Sequence, residues 1–278
     1  MEYIRTFTRE FPIGGEAELS AESRSGTMTV RGEDTDVARV EVVARLWADN
    51  DSEADEQADL IDRGIRQEDR RLTIRAATLL RPRPLIFFGR GPRVDYQVTV
   101  PAATEAKVTS RSGRVEIEGV SGPVEVEARS GRVGLRDIGG DVKISSRSGS
   151  VQAESVGGSL QVETRSGGVR VVRCEGDATI QARSGSVHVE DVGGKLRIDS
   201  RSGAVRYEGA VHDSFDIEVS AGAIRLAVDA SSVFFLDAES RAGSVRSSLP
   251  LRRGAGSGDK GPTVRLRTSA GSIQIAPR

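Results

Sequence analysis

Arg-Ser-Gly recurs six times at a constant spacing of 18, opened by Arg111, Arg129, Arg147, Arg165, Arg183 and Arg201. No insertion or deletion interrupts the run. So short a fixed period restricts the chain to repeat architectures, because every unit must meet its neighbours in the same way. Each rung divides into two halves of nine residues. One half opens with Arg-Ser-Gly, the other usually with Val-Gly-Gly, and apolar-polar alternation follows each glycine.

Alternation with period 2 marks a half-buried strand. The inward slots of the first half hold Val115, Val133, Val151, Val169, Val187 and Val205, then Ile117, Leu135, Ala153, Val171, Val189 and Tyr207. In the second half the inward pairs run from Val124/Val126 through Val142/Ile144, Leu160/Val162 and Ala178/Ile180 to Leu196/Ile198. Between them Glu116, Gln152, Arg170, His188, Lys143, Gln161 and Arg197 face water. An antiparallel meander would need only a nine-residue period and would leave one apolar face uncovered. A solenoid of two strands per coil explains the 18, since each strand covers the other and each coil stacks on the next. The expected fold is therefore all-β, a parallel β-solenoid of the β-helix or β-roll kind, with 18-residue coils of two strands.

Gly113, Gly131, Gly149, Gly167, Gly185 and Gly203 fall at one corner, and Gly122, Gly140, Gly158, Gly176 and Gly194 at the other. Glycine supplies positive φ at a corner without steric cost. The regular repeat spans 111–207 and loosens over 208–278, where Ser220, Arg241 and Ser269 open the successive triplets. Leu251–Pro262 reads as a surface loop, Thr263–Thr268 as a strand, and Ser272–Ala276 as the last strand and exposed edge, blunted by Pro277. An isolated earlier rung begins at Arg24.

Residues 1–100 are expected to form an N-terminal β-rich segment continuous with the solenoid of 101–278. Ala17–Ser23, Met28–Arg31, Val37–Leu46, Arg71–Ala76 and Val94–Val100 read as strands. Asp49–Arg63 reads as a short helix capped by Asp51 or Ser52. RPRPLIFFGRGPR, residues 81–93, reads as a basic loop. Helix and loop together are expected to cover an end or a face.

The 40 basic and 41 acidic residues nearly cancel, which argues against a general nucleic-acid or anionic-membrane binder. Aromatic residues are only 4%, too few for a base-stacking platform. No apolar run is long enough to span a bilayer. The opening MEYIRTFTRE lacks the form of a signal peptide, so a cytoplasmic location is expected.

Chemistry is sparse. Cys174 occupies a slot that is Val120, Ile138, Val156 or Val192 elsewhere, and reads as a small buried hydrophobe. His188 and His212 lack clustered partners for a metal. The glycine pairs are followed by Asp141, Ser159 and Lys195, a pattern incompatible with repeated calcium sites. The triplets precede strands rather than helices, unlike phosphate loops. No catalytic, cofactor or metal residue is expected. The Arg column remains, with guanidinium groups roughly 4.8 Å apart along one edge. Glu127, Glu163 and Asp199 stand two residues before an Arg and could build an ion-pair ladder. The alternative is a linear anion site formed by Arg111, Arg129, Arg147, Arg165, Arg183 and Arg201.

The S-G-x-V-x-V and V-G-G-x-V-x-V units of 110–207 resemble a bacterial adhesin-like family of β-strand-repeat proteins of unknown function. The entry VDYQVTVPAATEAKVTSRSGRVEIEG is similar, as are FFLDAESRAGSVRSSLP and the closing VRLRTSAGSIQIAPR. The resemblance implies a β-solenoid, no catalytic residues and, through some relatives, a link to cell-envelope stress. Three functions are consistent with the sequence. The first is a non-enzymatic scaffold that binds a protein partner or itself. The second is an anion-binding module for an acidic polymer, lipid headgroup surface or acidic protein edge. The third is a polysaccharide-acting β-helix enzyme, disfavoured because the outward slots lack aromatics.

Overall fold

A computed structural model describes residues 1–76, 92–249 and 261–278. Backbone packing divides the chain into two compact units, Met1–Gly139 and Gly140–Arg278.

In the second unit every half-rung of the regular repeat is extended, the first two running together as one strand. In chain order they are β10 (Val142–Val156), β11 (Leu160–Ser166), β12 (Val169–Cys174), β13 (Ala178–Ser184) and β14 (Val187–Val192). β15 (Leu196–Ser202), β16 (Val205–Gly209), β17 (Phe215–Ala221) and β18 (Ile224–Val228) follow. β19 (Phe235–Ala242), β20 (Val245–Ser247), β21 (Thr263–Ala270) and β22 (Ile273–Pro277) complete it; strand numbers leave β1–β9 for the first unit. Every regular rung pairs in parallel with the rung 18 residues on: Val151 faces Val169, Leu160 faces Ala178 and Val187 faces Val205. That register is the solenoid rather than the meander. The inward columns are buried throughout, with Val162, Val171, Ile180, Val189 and Tyr207 all at 0% exposure. β-Branched residues suit the columns because they pack well against like neighbours on a pleated surface.

The last coils do not stack in chain order. β21 lies between β17 and β19, and β22 lies between β18 and β20. The chain builds the outermost coil with 235–247 and then returns to insert 263–277 beneath it. The expected edge at Ser272–Ala276 is therefore interior; among the described residues the edge is β19 and β20. The side chains explain the order. Val264, Leu266, Ile273 and Ile275 fill slots covered on both sides and are buried. Leu236 and Ala238 in the outer coil are half-buried, and Val245 is 43% exposed. Only part of the expected loop at 251–262 is described.

The first unit comprises β1 (Glu2–Pro12), β2 (Glu16–Ser23), β3 (Thr27–Glu33), β4 (Val37–Trp47), α1 (Asp51–Asp62), β5 (Ile65–Glu68), β6 (Arg71–Ile74), β7 (Arg93–Pro101), β8 (Ala103–Glu118) and β9 (Val124–Ile138). Sequence periodicity did not reveal β1 or β5. The rung at Arg24 is not isolated. β2 and β3 form a coil on which β8 stacks directly, Ser23 beside Ser110 and Met28 beside Val115. The intervening residues build the far side of that coil: β6 pairs with β2, and β7 pairs with β3. Pairing then turns antiparallel, from β7 to β4 to β1 and from β6 to β5.

α1 packs against β1 and β4. Its N-cap is Asn50, not Asp51 or Ser52; the Asn50 side chain accepts the Glu53 N–H, while the Glu53 carboxylate accepts the Asp49 N–H. Asp51 and Asp55 hold Arg5, and Asp62 holds Arg9. An acidic helix face thus meets the charged edge strand β1. The basic loop expected at 81–93 lies outside the described residues except for Pro92 and Arg93.

Candidate functional site

The Arg-Ser-Gly corner divides labour among its three residues. Glycine is demanded twice over. Gly167 has φ of 126°, and a Cβ built there would sit 1.7 Å from the carbonyl oxygen of Gly149 in the coil before. The column permits no side chain because backbone stacks on backbone. Serine does more than fit the turn. Ser166 Oγ donates to the Arg147 carbonyl at 3.3 Å, Ser184 Oγ to Arg165 at 3.1 Å and Ser202 Oγ to Arg183 at 3.2 Å. In the first unit Ser112 and Ser130 do the same toward Arg24 and Arg111. Each hydroxyl stitches one coil to the next, a role the triplet spacing alone did not reveal.

The arginine is left outside. Arg147, Arg165, Arg183 and Arg201 are exposed and aligned, and the column passes on to Ser220. The expected ion-pair ladder is not formed in this unit. None of these four guanidinium groups has a carboxylate within ion-pair distance among the described residues; Glu163 engages Gln161 instead. Glu163 shares the exposed face of β11 with Arg165, yet its carboxylate stays beyond ion-pair distance of that guanidinium. In the first unit Arg111 and Arg129 continue the same slot, exposed, and Arg129 has a partner.

One residue before the arginine, the chain points inward. Ser146, Thr164 and Ser200 in the second unit, and Ser23 and Ser110 in the first, have buried hydroxyls with no protein hydrogen-bond partner. Ala128 and Ala182 occupy the same slot in other rungs. The slot sets a size limit and makes no use of the hydroxyl.

At the second corner the glycines serve contact rather than conformation. Positive φ falls three residues earlier, at Ser155 (56°), Arg173 (57°) and Asp191 (53°) in the second unit and at Asp137 (51°) in the first. Gly158 and Gly194 instead give way to the Asp141 and Asp177 carboxylates, 2.6 and 2.4 Å from where a Cβ would stand. Asp141 accepts from both the N–H and the hydroxyl of Ser159, which holds its carboxyl below the usual carboxylate range.

Cys174 stacks between Val156 and Val192 and is 2% exposed; burial pushes its thiol up to about 11. His188 stands half-buried on the outward face, its Nδ1 3.3 Å from Arg170 and its Nε2 3.4 Å from Glu208. Tyr207 is buried, donates its hydroxyl to the Ala210 carbonyl and meets Phe215 edge-on at 4.7 Å. Among the described residues no group of three or more His, Cys, Asp or Glu gathers as a metal set. No described helix is long and apolar enough to cross a membrane.

Parallel two-strand coils, glycine corners and a hydroxyl-stitched edge define a β-solenoid-like repeat protein. Residues 140–276 match the family model Toastrack DUF4097, in keeping with the adhesin-like resemblance of the repeats. A solved structure described as "a putative cell adhesion protein from Clostridium sporogenes ATCC 15579" aligns with 100% of this chain and 99% of its own, at 11% identity and a TM-score of 0.32. No curated protein matches.

Proposed function

We propose that the chain is a non-enzymatic interaction scaffold whose outermost coil, β19 and β20, accepts a further strand from another polypeptide, most simply a second copy. The carrying observation is that coil's unfinished side. Among the described residues β19 pairs only with β21, and β20 only with β22. The apolar columns run straight into it: Ile217, Leu266 and Ala238 form one, and Ile224, Ile273 and Val245 another. An unpaired strand edge over half-exposed apolar slots is a template for strand addition. Sedimentation across a wide concentration range tests the reading. Mass should rise with concentration, and Leu236→Asp with Val245→Asp should abolish the rise. A monomer at every concentration would sink self-association. Through the resemblance, the process served would lie at the cell envelope.

A second reading rests on the unpaired guanidinium groups of Arg147, Arg165, Arg183 and Arg201. Four in-register cations without carboxylates suit an acidic polymer, an anionic headgroup surface or an acidic protein edge. Replacing Arg147, Arg165 and Arg183 with Gln should release the protein from anionic liposomes or resin; unchanged retention rejects it.

A further inference from the structure

We propose that the first unit holds a second, distinct anion site: a groove lined from β4, β7, β8 and β9 that binds adjacent phosphate groups of a small oligophosphate. The groove is a wide, solvent-open one of about 940 Å³, its lining including Arg45, Arg93, Arg114, Arg132, Trp47 and Glu2. That volume suits a ligand of several phosphate groups.

The four arginines converge by topology. Arg114 and Arg132 are register partners on β8 and β9, one coil apart, so their Cα atoms lie roughly 4.8 Å from each other. Arg45 and Arg93 are register partners across the antiparallel β4 and β7. Like charges directly opposite in a sheet destabilise it. The compensation is incomplete. Asp95 serves both Arg93, at 3.2 Å, and Arg45, at 3.7 Å, while also accepting the Thr27 N–H at 2.7 Å. Arg114 reaches Glu116 at 3.4 Å, and both side chains are about half exposed. Arg132 has no ion pair among the described residues. With Glu2 the one acid on the lining, the groove keeps a positive excess.

The repeat itself separates this site from the scaffold. The slot after the corner glycine holds Arg114 and Arg132 in the coils that line the groove. In the later rungs the same slot holds Ser150, Gly168, Ser186, Ala204 and Ala223. Stacking therefore does not require arginine there, and the two exceptions both face the groove. Guanidinium forks bind phosphate oxygens bidentately, and two forks one coil apart match neighbouring phosphates on one chain. Trp47 also lines the groove and supplies aromatic surface for a ring attached to the phosphates.

The test uses the full chain, in which Trp47 is the single tryptophan and so a built-in reporter. Inorganic tripolyphosphate and ATP are titrated at low salt, reading Trp47 emission and heat. Saturable binding is expected, weakening as salt rises. Arg114→Gln with Arg132→Gln should weaken it by about tenfold for each guanidinium removed, with the melting temperature no lower than that of the unaltered chain. Arg147→Gln with Arg165→Gln, in the second unit, should leave it intact. Equal affinity for the two probes makes the phosphates alone the recognised group. Tighter ATP binding with a larger emission change adds the base on Trp47. Either result upholds the site. Absence of binding to both probes overturns it, as does binding lost only in the Arg147/Arg165 variant.

Discussion

Gly185 shows what a stacked coil demands of a single residue. Its φ is 125°, and a Cβ would stand 2.0 Å from the Gly167 carbonyl oxygen. Gly185→Ala must therefore strain its own backbone and push two coils apart, at a cost of about 2–4 kcal/mol. Urea denaturation should show the midpoint falling sharply. The neighbouring hydroxyls behave oppositely to one another. Ser184→Ala loses the bond to the Arg165 carbonyl and should cost ~0.5–1 kcal/mol. Ser200→Ala removes a buried hydroxyl that has no protein partner, so it should be neutral or stabilising by up to ~1 kcal/mol. The same denaturation series compares the pair. Cys174, buried and with its thiol raised to about 11, should react with a thiol reagent at pH 8 only as fast as the coil opens. Rapid labelling of the native protein would contradict its place in the Val156–Val192 column.

At the scale of elements, α1 depends on charge as much as on burial. Its buried apolar residues are only Ala54 and Ile61, and its grip on β1 runs through Arg5 and Arg9. Arg9 holds the Asp62 carboxyl below its ordinary 3.8, and Arg9 in turn is raised by Asp62. Asp62 is ionised more readily in the folded protein than in the unfolded one. Its contribution is therefore complete above the ordinary carboxylate value and is lost as the pH falls through the lower folded value. Amide exchange in α1 should accelerate over that acid window, and Asp62→Asn should flatten the dependence. The helix was legible in the sequence from its acidic run and spacing. Its cap was not, because Asn50, Asp51 and Ser52 are all good caps and only backbone geometry chooses among them: Asn50 is extended at φ −146°.

At the scale of the whole chain, order in sequence and order in space part company within each unit. In the second, residues 263–277 separate 215–228 from 235–247. Truncation before Thr263 would therefore remove an inner coil, not an end one. It should strip β19 and β20 of their pairing and uncover Ile224 and Leu226. Amide protection of 235–247 should collapse together with the loss of the tail. Had β22 been the edge, the same truncation would have left 235–247 protected. In the first unit β4, β5, β6 and β7 come between β3 and β8 in sequence, while β8 stacks directly on β2 and β3, which is why the rung at Arg24 falls outside the 18-residue spacing.

The sequence by itself determined the coil: its 18-residue period, its two strands, the inward columns, the first corner and the outward arginines all follow from local alternation and glycine placement. Those features repeat, and a repeated contact is written in every rung. What only the tertiary structure decided is where repetition stops. The interleaved last coils, the antiparallel β1 and β4, and the convergence of Arg45 and Arg93 on Arg114 and Arg132 each join residues with no common spacing. Periodicity carries no information about such contacts. They are fixed by which strand edge remains open and by how much apolar surface each incoming segment can bury there.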